Sequence, residues 1–558
     1  MAAQEQAPSV FLKNAGSEKV DIPYLEASSS ASTHSASTHG NLDPGPPQLV
    51  DEDVITLPFR ELMVVFIGLM LGVFLSSLDQ TIVSVCSTKI ANDFHSLKEI
   101  PWIGTAYLLT STSFQPLYGR LSDIFGRKAT FLFAITVFLI GSALCGAAQN
   151  MTWIIAARGI AGIGAGGIIS MVMIIITDLV SLRDRGKYQG IVGATFGFAS
   201  VIGPLLGGVF VDKASWRWAF FINLPIGAVT VVAVIKLLHL PHAKGSFKDK
   251  IKRIDFFGAF SLVCGLILIL LPLNWGGSTY AWNSGIIIGL FCAGAVLLII
   301  FSLIELKQAA EPIIPFRLFK NRTAAAAFLT CLFLGMGSFI VMFYMPLYFQ
   351  IVRQETATIA GLEMLPFIVG YVVTSIVSGI LVSKWGHYRP FIWVGLALAT
   401  AGTGLLTLIH EDSSRGTQIG YLLIIGFGLG LAMQTTIIAV QSQVATKDIA
   451  VATGNAIFFR SVGSVLGVAI AGTIFNNAVK ENLAPLIAAN PEVVNVIADS
   501  YLAPTFGPEL EAQILHAYML ALRSAFRVCI PFIGIAWLSS LMIQHQTLRG
   551  SRGPTTAK

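Results

Sequence analysis

Residues Ala129–Gln149 read ATFLFAITVFLIGSALCGAAQ and contain no charged side chain. A membrane-spanning helix needs about 20 mostly apolar residues, so this stretch is long enough to cross a bilayer by itself. The rest of the chain has the same character, because 54% of its 558 residues are hydrophobic and only 12% are charged. A soluble domain carries about twice that share of charge. The sequence therefore predicts an all-α polytopic membrane protein.

About fourteen segments meet the same criterion of length and apolarity. We expect membrane spans near residues 60–83, 102–119, 129–149, 153–178, 188–211, 218–239, 254–275, 286–306, 323–348, 360–383, 390–409, 418–444, 450–475 and 520–543. The polar segment before them, residues 1–56, contains Ser-Ala-Ser-Thr-His twice, at 30–34 and 35–39. Polar low-complexity sequence cannot bury enough apolar surface to fold, so we expect a disordered cytosolic tail.

Lysine and arginine residues are distributed unevenly over the loops between these spans. With the N-terminus in the cytosol, the cytosolic loops carry Arg120, Arg127, Lys128, Arg183, Arg185, Lys187, Lys244, Lys248, Lys250, Lys252, Arg253, Lys307, Arg317, Lys320, Arg322, Lys384, Arg389 and Lys447. The opposite loops carry Lys89, Lys98, Lys213, Arg217, Arg353, Arg415 and Lys480. Because positive loop charge favours the cytosolic side, both termini are expected in the cytosol. The net charge of +6 thus reflects membrane orientation and does not indicate a nucleic-acid partner.

The sequence lacks the motifs of several other functional classes. It contains no G-x-x-x-x-G-K-[ST] loop, so direct ATP-driven transport is not expected. No selectivity-filter-like loop, Ser/His/Asp arrangement or metal-ligand cluster indicates a channel, an enzyme or a metal site. The six cysteines lie in or beside apolar stretches without a Cys-x-x-Cys pair, as expected for small apolar residues of a helix bundle. We expect a secondary transporter that is not an enzyme and that uses no cofactor and no metal.

The loop after the second span contains a specific motif, Gly119-Arg-Leu-Ser-Asp123-Ile-Phe-Gly126-Arg127-Lys128. Its glycines permit a tight turn and close approach of helices. Asp123 and Arg127 have the charges to pair across a helix seam, and Asp178 at the end of the fourth span can join them. A plain positively charged loop is the alternative. We predict a cytosolic gate formed by Gly119, Asp123, Gly126, Arg127, Lys128 and Asp178.

These residues resemble the signature between helices two and three of the major facilitator superfamily (MFS), and other motifs resemble its fourteen-helix drug:proton antiporters. These motifs are Leu78-Asp79-Gln-Thr81-Ile-Val83, Arg158-Gly159-Ile-Ala-Gly162-Ile-Gly164, the antiporter motif with Gly197, Gly203, Pro204, Gly207 and Gly208, and Trp216-Arg-Trp-Ala-Phe-Phe-Ile-Asn223-Leu-Pro225-Ile-Gly227. Pro315-Phe-Arg-Leu-Phe319, Pro346-Leu-Tyr-Phe-Gln350 and residues 454–472 are similar to fungal members of that branch. We expect the glycines of the antiporter motif to act through close helix contact.

The resemblance implies an MFS fold in which two six-helix halves rock about a central cavity. The corresponding boundaries are 57–240 and 308–545, with two inserted central helices in 241–307 and a cytosolic C-terminal tail at 546–558. Residues 476–516 are expected to be a long non-cytosolic loop, forming a cap, a re-entrant hairpin or a plain connection. Where the family has Ala-Leu-Pro after the first motif, this chain has Cys86-Ser87-Thr88, so a helix kink is expected to be missing there.

Asp79 and Arg158 are ionisable residues inside predicted spans, where such groups are costly and face a cavity or a partner. Asp79 lies late in an outward-running helix and Arg158 lies early in an inward-running one, so both are expected near the outer leaflet. Burial and a nearby arginine act in opposite directions on the proton affinity of a carboxylate. We predict that this pair couples transport to protons, and a static structural ion pair is the alternative.

Further polar residues in the spans are candidates for the cavity wall, namely Gln115, Asn223, Tyr344, Gln350, Gln434 and Arg460. Hydrogen bonds between packed helices, or an ordinary core position for the tyrosine, are the alternative explanation.

The expected function is proton-coupled efflux, by alternating access, of amphipathic or hydrophobic organic compounds such as drugs, toxins, secondary metabolites or glycolipids. The partners are this small-molecule cargo, protons and the lipid bilayer, and a monomer in the plasma membrane is expected. Two alternatives stay open: a vacuolar transporter of basic amino acids, and a non-transporting membrane sensor or receptor on an MFS scaffold. Because a basic cargo needs embedded carboxylates and few are present, the sequence favours apolar cargo.

Overall fold

The computed structural model describes residues 58–96, 99–238, 246–277, 280–307, 311–494, 496, 506–546 and 548. The predicted N-terminal tail, 1–56, and most of the predicted C-terminal tail, 546–558, lie outside these ranges. Within them the chain is helical apart from turns and one isolated bridge between Gly276 and Tyr280. The prediction of an all-α fold is confirmed.

The first half of the protein comprises α1 (Phe59–Asp93), α2 (Ile100–Phe125), α3 (Arg127–Gly146), α4 (Met151–Leu179), α5 (Arg185–Lys213), α6 (Trp218–Phe221) and α7 (Asn223–Leu237). α4 packs against α2 and α3, and α1 packs against α5 and α7. The predicted sixth span is divided into α6 and α7 at Ile222. α1 continues through Cys86-Ser87-Thr88 without a break, as the missing proline leads one to expect.

A short helix and a central pair follow, and then the second half. These elements are α8 (Phe247–Lys252), α9 (Phe256–Trp275), α10 (Gly285–Lys307), α11 (Arg317–Lys320), α12 (Arg322–Leu347), α13 (Ala357–Glu363), α14 (Leu365–Trp385), α15 (Arg389–Leu406), α16 (Arg415–Gln441), α17 (Ile449–Ala489) and α18 (Pro508–Ser540). α9 and α10 pack against each other, and α9 also contacts α2 and α17. In the second half, α12 packs against α17 and α18, while α16 packs against α14 and α15.

Thirteen helical segments of the described residues are long and apolar enough to cross a membrane. α2 has sufficient length, but its serine, threonine and glutamine residues lower its hydropathy below the criterion. It packs against α4 and against α17, so much of its surface faces protein and lipid contact is limited. Counting α2 gives fourteen crossings, in agreement with the sequence.

Alternate crossings place the start of α1 on the same side of the protein as the α2–α3, α4–α5 and α14–α15 connections. We call this side the positive face, because it carries Arg127, Lys128, Arg183, Lys384 and Arg389. The side with the α1–α2 and α17–α18 connections is called the opposite face.

Two turns on the positive face depend on glycine. Gly126, between α2 and α3, has a φ of 94°, and Gly386, between α14 and α15, has a φ of 71°. A side chain disfavours this left-handed region, whereas glycine adopts it readily. Each turn is therefore tight, and each is followed closely by an arginine, Arg127 in one half and Arg389 in the other.

The two halves meet toward the positive face through glycine-lined seams. α5 packs against α14, and a side chain at Gly379 would overlap the backbone carbonyl of Gly186. α2 packs against the start of α17, where a Cβ at Gly119 would lie 3.3 Å from the carbonyl oxygen of Ala450. Small residues let helix backbones approach closely. The positive face is consequently closed in this structure.

The antiporter motif lies on α5, which packs against α1 as well as against α14. A side chain at Gly203 would overlap Thr81, and a Cβ at Gly207 would lie 3.0 Å from the carbonyl oxygen of Ile82. The hydroxyl of Thr81 donates a hydrogen bond to the carbonyl of Ala199 on α5, at 3.1 Å. α1 and α5 are therefore in backbone contact on the opposite-face side of the seam.

Gly197 and Gly208 of the antiporter motif differ from Gly203 and Gly207, because a Cβ at either position would have no neighbour in α1. A Cβ at Gly197 would lie 2.7 Å from Val372 of α14, so this glycine contacts the other half. Gly208 has no neighbouring heavy atom within 4 Å of its Cβ position, and the expectation that it acts through helix contact is wrong. Successive helix residues point about 100° apart, so Gly208 cannot share the face of its neighbour Gly207. Pro204 lies inside α5 without ending it.

Residues 476–516, expected to be a loop, are largely helical. α17 extends to Ala489 and α18 begins at Pro508, with a short 3-10 turn at Pro491–Val493. A separate apolar cluster holds these extensions together, and it includes Val479, Leu483, Val493, Ile514, Ala517 and Tyr518. Burial of these side chains stabilises the helical extensions. The described part of the segment is therefore helical, and its role as a non-cytosolic cap stays a prediction.

We predict that Gly203→Ala and Gly208→Ala have different consequences. The added methyl group at Gly203 meets Thr81 and the backbone of Ile82, and overpacking of this kind costs about 1–3 kcal/mol. Gly203→Ala should lower the thermal unfolding midpoint of the purified protein and slow transport. Gly208→Ala should leave transport unchanged and keep or raise the unfolding midpoint, since alanine is the better helix former and the site is open. Equal behaviour of the two variants would contradict this account of the α1–α5 seam.

Candidate functional site

The structure brings Asp79 and Arg158 together as an ion pair between α1 and α4. Nη1 of Arg158 lies 2.5 Å from Oδ2 of Asp79, and the two side chains are 2% and 0% exposed. Their positions are 79 residues apart in the sequence. Both groups lie nearer to the opposite face than to the positive face, because Asp79 is late in α1 and Arg158 is early in α4.

Further groups surround this pair on every side. Nε of Arg158 donates to the carbonyl oxygen of Ile103 at 2.9 Å, and its guanidinium lies 4.1 Å from the ring centroid of Tyr107. The hydroxyl of Tyr107 donates to the carbonyl of Ser76, one turn before Asp79. α2 thus holds the side chain of Arg158 in place, and Arg158 links α4 to α1 through Asp79.

Asn223 completes the site from α7, and its position differs from the prediction. Its side chain is fully buried, and Nδ2 donates to Oδ1 of Asp79 at 3.1 Å and to the hydroxyl of Ser142 at 2.8 Å. Asn223 is therefore a hydrogen-bond partner of the ion pair and not a residue of an open cavity wall. The break in the sixth span is visible in the structure and was not predicted from the sequence, and Asn223 stands directly after it.

This arrangement makes the charge state of Asp79 consequential. Removing one partner of a buried ion pair costs about 3–5 kcal/mol, because the other charge stays buried without compensation. Other buried acids of the described residues, Glu305 and Asp448, lie at helix termini. Asp79 lies well inside α1, and a proton arriving there would cancel the attraction for Arg158.

A second cluster of charges occupies the predicted gate on the positive face. Arg127 pairs with Asp123 and lies 2.7 Å from Asp178 at the end of α4. Arg120 donates to the carbonyl oxygen of Pro312 at 2.9 Å, beyond the central pair of helices. Because Gly119 contacts the start of α17, the cluster lies where the first half touches the second.

Lys128 takes no part in this cluster. Its Nζ donates to the carbonyl oxygen of Ile235 at 2.7 Å, so it contacts α7 of its own half. Its inclusion among the gate residues is therefore not supported by its contacts. Gly126 contributes through the turn that positions Arg127.

Sequence reasoning missed a clasp between the α4–α5 loop and the end of α14. Arg183 donates to the carbonyls of Ser383 and Lys384, the latter at 2.8 Å. The hydroxyl of Ser383 donates to Asp184 at 2.5 Å. A cation at a helix C-terminus is favourable, since the helix dipole is negative there. The charged run Arg183-Asp184-Arg185 was visible in the sequence, but its partners about 200 residues later were not.

A polar contact lies under this clasp. Gln189 of α5 and Gln441 of α16 are fully buried, and their amide groups are 3.5 Å apart. Gln441 also donates to the hydroxyl of Thr453 in α17, at 3.1 Å. The clasp and this contact together close the positive face across the two halves.

The remaining cavity candidates differ in burial and in hydrogen bonding, and they are Tyr344, Gln350, Gln115, Gln434 and Arg460. Tyr344 is 3% exposed and its hydroxyl faces the backbone of Val468 in the α12–α17 seam, so it is a packing residue and not a cavity residue. Gln350 lies in the π-helical turn that ends α12 at the opposite face. Gln115 and Gln434 are buried, and Oε1 of each accepts no hydrogen bond, whereas Arg460 is partly exposed.

Comparison with known proteins agrees with this architecture. The sequence profile of the Major Facilitator Superfamily matches residues 69–468. The chain belongs to the Major Facilitator Superfamily. It is 37% identical to an MFS-type efflux pump of Arthroderma benhamiae. The alignment spans 499 residues and covers 88% of this chain and 93% of the pump. It is 34% identical over 499 residues to the efflux pump aflT of Aspergillus parasiticus, covering 88% and 97% of the two chains.

A bacterial relative and a solved structure of low sequence identity also match this chain. The multidrug transporter protein MdtP of Bacillus subtilis is 34% identical over 504 residues, covering 86% of this chain and 92% of MdtP. The crystal structure of the human organic anion transporter MFSD10 superimposes with a TM-score of 0.55 at 16% identity, covering 88% of this chain and 100% of that one. This structural likeness bears on the fold alone.

We predict that Arg127→Ala opens the positive face. The variant leaves Asp123 and Asp178 facing each other without their shared cation, which should weaken the closed state. Gln189→Cys, buried in the closed seam, reports the opening through its labelling rate with a membrane-impermeant maleimide in vesicles that expose the positive face. Arg127→Ala should raise that rate about tenfold, the change produced by about 1.4 kcal/mol.

Lys128→Ala is the matched control for this experiment. It removes the same charge one residue away, but its contact stays within the first half. It should leave the labelling rate of Gln189→Cys unchanged. Equal labelling rates of Gln189→Cys with and without Arg127→Ala would contradict a gating role for this cluster of charges.

Proposed function

We propose that this chain is a proton-coupled exporter of amphipathic or hydrophobic organic compounds. The observation that carries the proposal is the buried Asp79–Arg158 pair, with Asp79 also bound by Asn223. It offers a protein-enclosed group that can exchange a proton, whereas the sequence contains no nucleotide-binding loop. The names of the relatives, which include efflux pumps and an aspyridones efflux protein of Neocamarosporium betae, support export of organic compounds.

The contacts of α1 and α5 suggest how protonation acts on the seam between the halves. A neutral Asp79 loses most of its attraction for Arg158, which frees α1 to move against α4. Thr81, half a turn after Asp79, is bonded to Ala199 of α5. α5 in turn forms the seam with α14 through Gly186 and Gly190. A shift of α1 is thereby passed to the helix that closes the positive face.

We further propose that the positive face is cytosolic, that both termini lie in the cytosol and that the protein resides in the plasma membrane as a monomer. The supporting observation is the excess of arginine and lysine on the positive face. The proposed partners are protons, the small-molecule cargo and the bilayer. A transport role of this kind requires no catalytic residue.

The two alternatives receive less support. Export or storage of basic amino acids requires carboxylates in the cavity. The buried acids of the described spans are already engaged, Asp79 with Arg158, Glu305 with the backbone of Ile313 and Asp448 with Arg317. A non-transporting sensor has no need for the charged gate and for the clasp at Arg183, both of which suit a face that opens and closes.

Reconstitution tests the coupling directly. Purified protein is reconstituted into liposomes that contain the pH-sensitive dye pyranine. Fluorescein or rhodamine 123 is then added as an amphipathic probe. A pH step without nucleotide should drive movement of a probe together with a counterflow of protons. Movement that requires ATP and ignores the pH step would overturn the proposal.

We predict that Asp79→Asn abolishes proton-driven transport, whereas Asp79→Glu retains part of it because a titrating group is preserved. The double variant Asp79→Asn/Arg158→Gln separates coupling from structure, since it removes both charges and leaves neither one unpaired. It should fold like the parent, with a similar unfolding midpoint, and yet lack proton-driven transport. The measurement is the initial rate of probe movement at several pH values.

A static ion pair gives the opposite pattern. In that case the double variant keeps the parent's rate and pH profile. Arg158→Ala alone should lower the unfolding midpoint for either role of the pair, because it leaves Asp79 buried without its partner.

A further inference from the structure

Asn223 holds Asp79 with one end of its amide and leaves the other end without a partner. Its Nδ2 donates to Oδ1 of Asp79 at 3.1 Å and to the hydroxyl of Ser142 at 2.8 Å. Its Oδ1 is buried and accepts no hydrogen bond from the described residues. A buried acceptor that is left unsatisfied costs free energy, so its presence beside a titratable acid calls for an explanation.

Protonation of Asp79 would reverse what this site requires. The carboxylate accepts from Arg158 through Oδ2 and from Asn223 through Oδ1. A protonated carboxyl group carries one O–H donor. On Oδ2 that proton would face the guanidinium of Arg158, and on Oδ1 it would face the N–H of Asn223. Among its present partners, the neutral acid therefore has no acceptor.

Rotation of the Asn223 amide by half a turn supplies that acceptor. The terminal torsion of asparagine is broad and roughly two-fold, and the exchanged oxygen and nitrogen are nearly indistinguishable in shape. The rotation brings Oδ1 to the side of Asp79, where it accepts from the protonated acid. Ser142, which now donates to the carbonyl of Phe220 at 3.3 Å, can turn its hydroxyl and donate to the same Oδ1.

The other ionisable neighbours of Asp79 do not change charge near neutral pH. They come from three helices and are Arg158 of α4, Tyr107 of α2 and Cys145 of α3. An arginine stays charged, and an ordinary phenol or thiol titrates at higher pH. At the level of Asp79, residues 199–207 of α5, residues 218–221 of α6 and residues 223–227 of α7 contain no ionisable side chain. Asn223 is thus the uncharged neighbour that can serve both forms of the acid.

We propose that Asn223 is an amide switch for the proton on Asp79, donating to the carboxylate and accepting from the protonated acid. The inference rests on the proposed function and adds a positioning residue to it. The proton comes from the aqueous phase, bonds to Oδ1 of Asp79 and later leaves the same oxygen, and no other covalent bond changes. Because the bond to Asn223 persists with its direction reversed, α1 stays attached to α7 when the attraction for Arg158 is lost.

Infrared difference spectra of the purified protein, recorded between acidic and alkaline pH, test the switch. The protein is made by cell-free synthesis with asparagine that is isotopically labelled in its side-chain carbonyl, which separates this band from the backbone. Acidification should produce a carboxyl band that Asp79→Asn lacks. The same pH step should shift one labelled amide band, because Oδ1 gains hydrogen bonds. Asp79→Asn should lose this shift as well.

Two variants assign the amide band. Asn223→Gln keeps a side-chain amide but removes the labelled carbonyl from this position, so the labelled shift should disappear. Asn455→Leu is the matched control, since it removes a buried asparagine of α17 in the second half, and it should keep both bands. A carboxyl band of Asp79 without a shift of a labelled amide band in the parent overturns the switch.

The pH midpoint of the carboxyl band gives an independent measurement. If Asn223 only donates to the carboxylate, Asn223→Leu raises this midpoint by about one to two pH units, the effect of one hydrogen bond to a charged group. In a switch both forms of Asp79 lose a partner, and the two losses oppose each other. The midpoint should then move by less than about one unit. A larger rise overturns the switch.

The outcomes distinguish this inference from the proposed function. Carboxyl and amide bands that titrate together, without movement of either dye under a pH step, support the switch and contradict proton-coupled export. A carboxyl band without the amide shift, in a protein that moves a dye under the pH step, overturns the switch and supports export. Absence of the Asp79 carboxyl band over the pH range in which the protein stays folded overturns the switch and removes Asp79 from the coupling.

Discussion

The hydrocarbon core contains no water, and every charge placed in it needs a partner from the protein or the cargo. Asp79 and Arg158 satisfy this requirement mutually, and the same two side chains connect α1, α2, α4 and α7. Such a pair adds little net stability over well-packed apolar residues, so its presence fits a role that needs charge.

A transporter must also have contacts that close tightly and reopen. The seams between the halves are lined by glycine, so the helices meet backbone to backbone with few interlocking side chains. Charged groups at the rim add contacts that water can replace when the seam opens, as at Arg127 and Arg183. Exposed ion pairs of this kind contribute little each. A closed state of modest stability suits a cycle in which both states must be populated.

The sequence identified many of the important residues but assigned several to the wrong surroundings. Asn223 was expected in a cavity wall and is a partner of Asp79, while Tyr344 is a packing residue. Gly208 lies in a glycine motif, but no heavy atom of another element lies within 4 Å of its Cβ position. In each case the residue type was informative about polarity or size, but the direction in which a side chain points depends on the rotation of its helix relative to its neighbours.

By itself the sequence determined the membrane spans and the scarcity of embedded acids, since these follow from local composition, and it predicted the orientation of the spans from loop charge. It also indicated which glycines and charges belong to a gate. The tertiary structure alone decided which charges meet: Arg158 with Asp79, Arg183 with the end of α14, and Arg460 with no acid among the described residues. These contacts join residues from 79 to about 200 positions apart, and only the packing of whole helices fixes them.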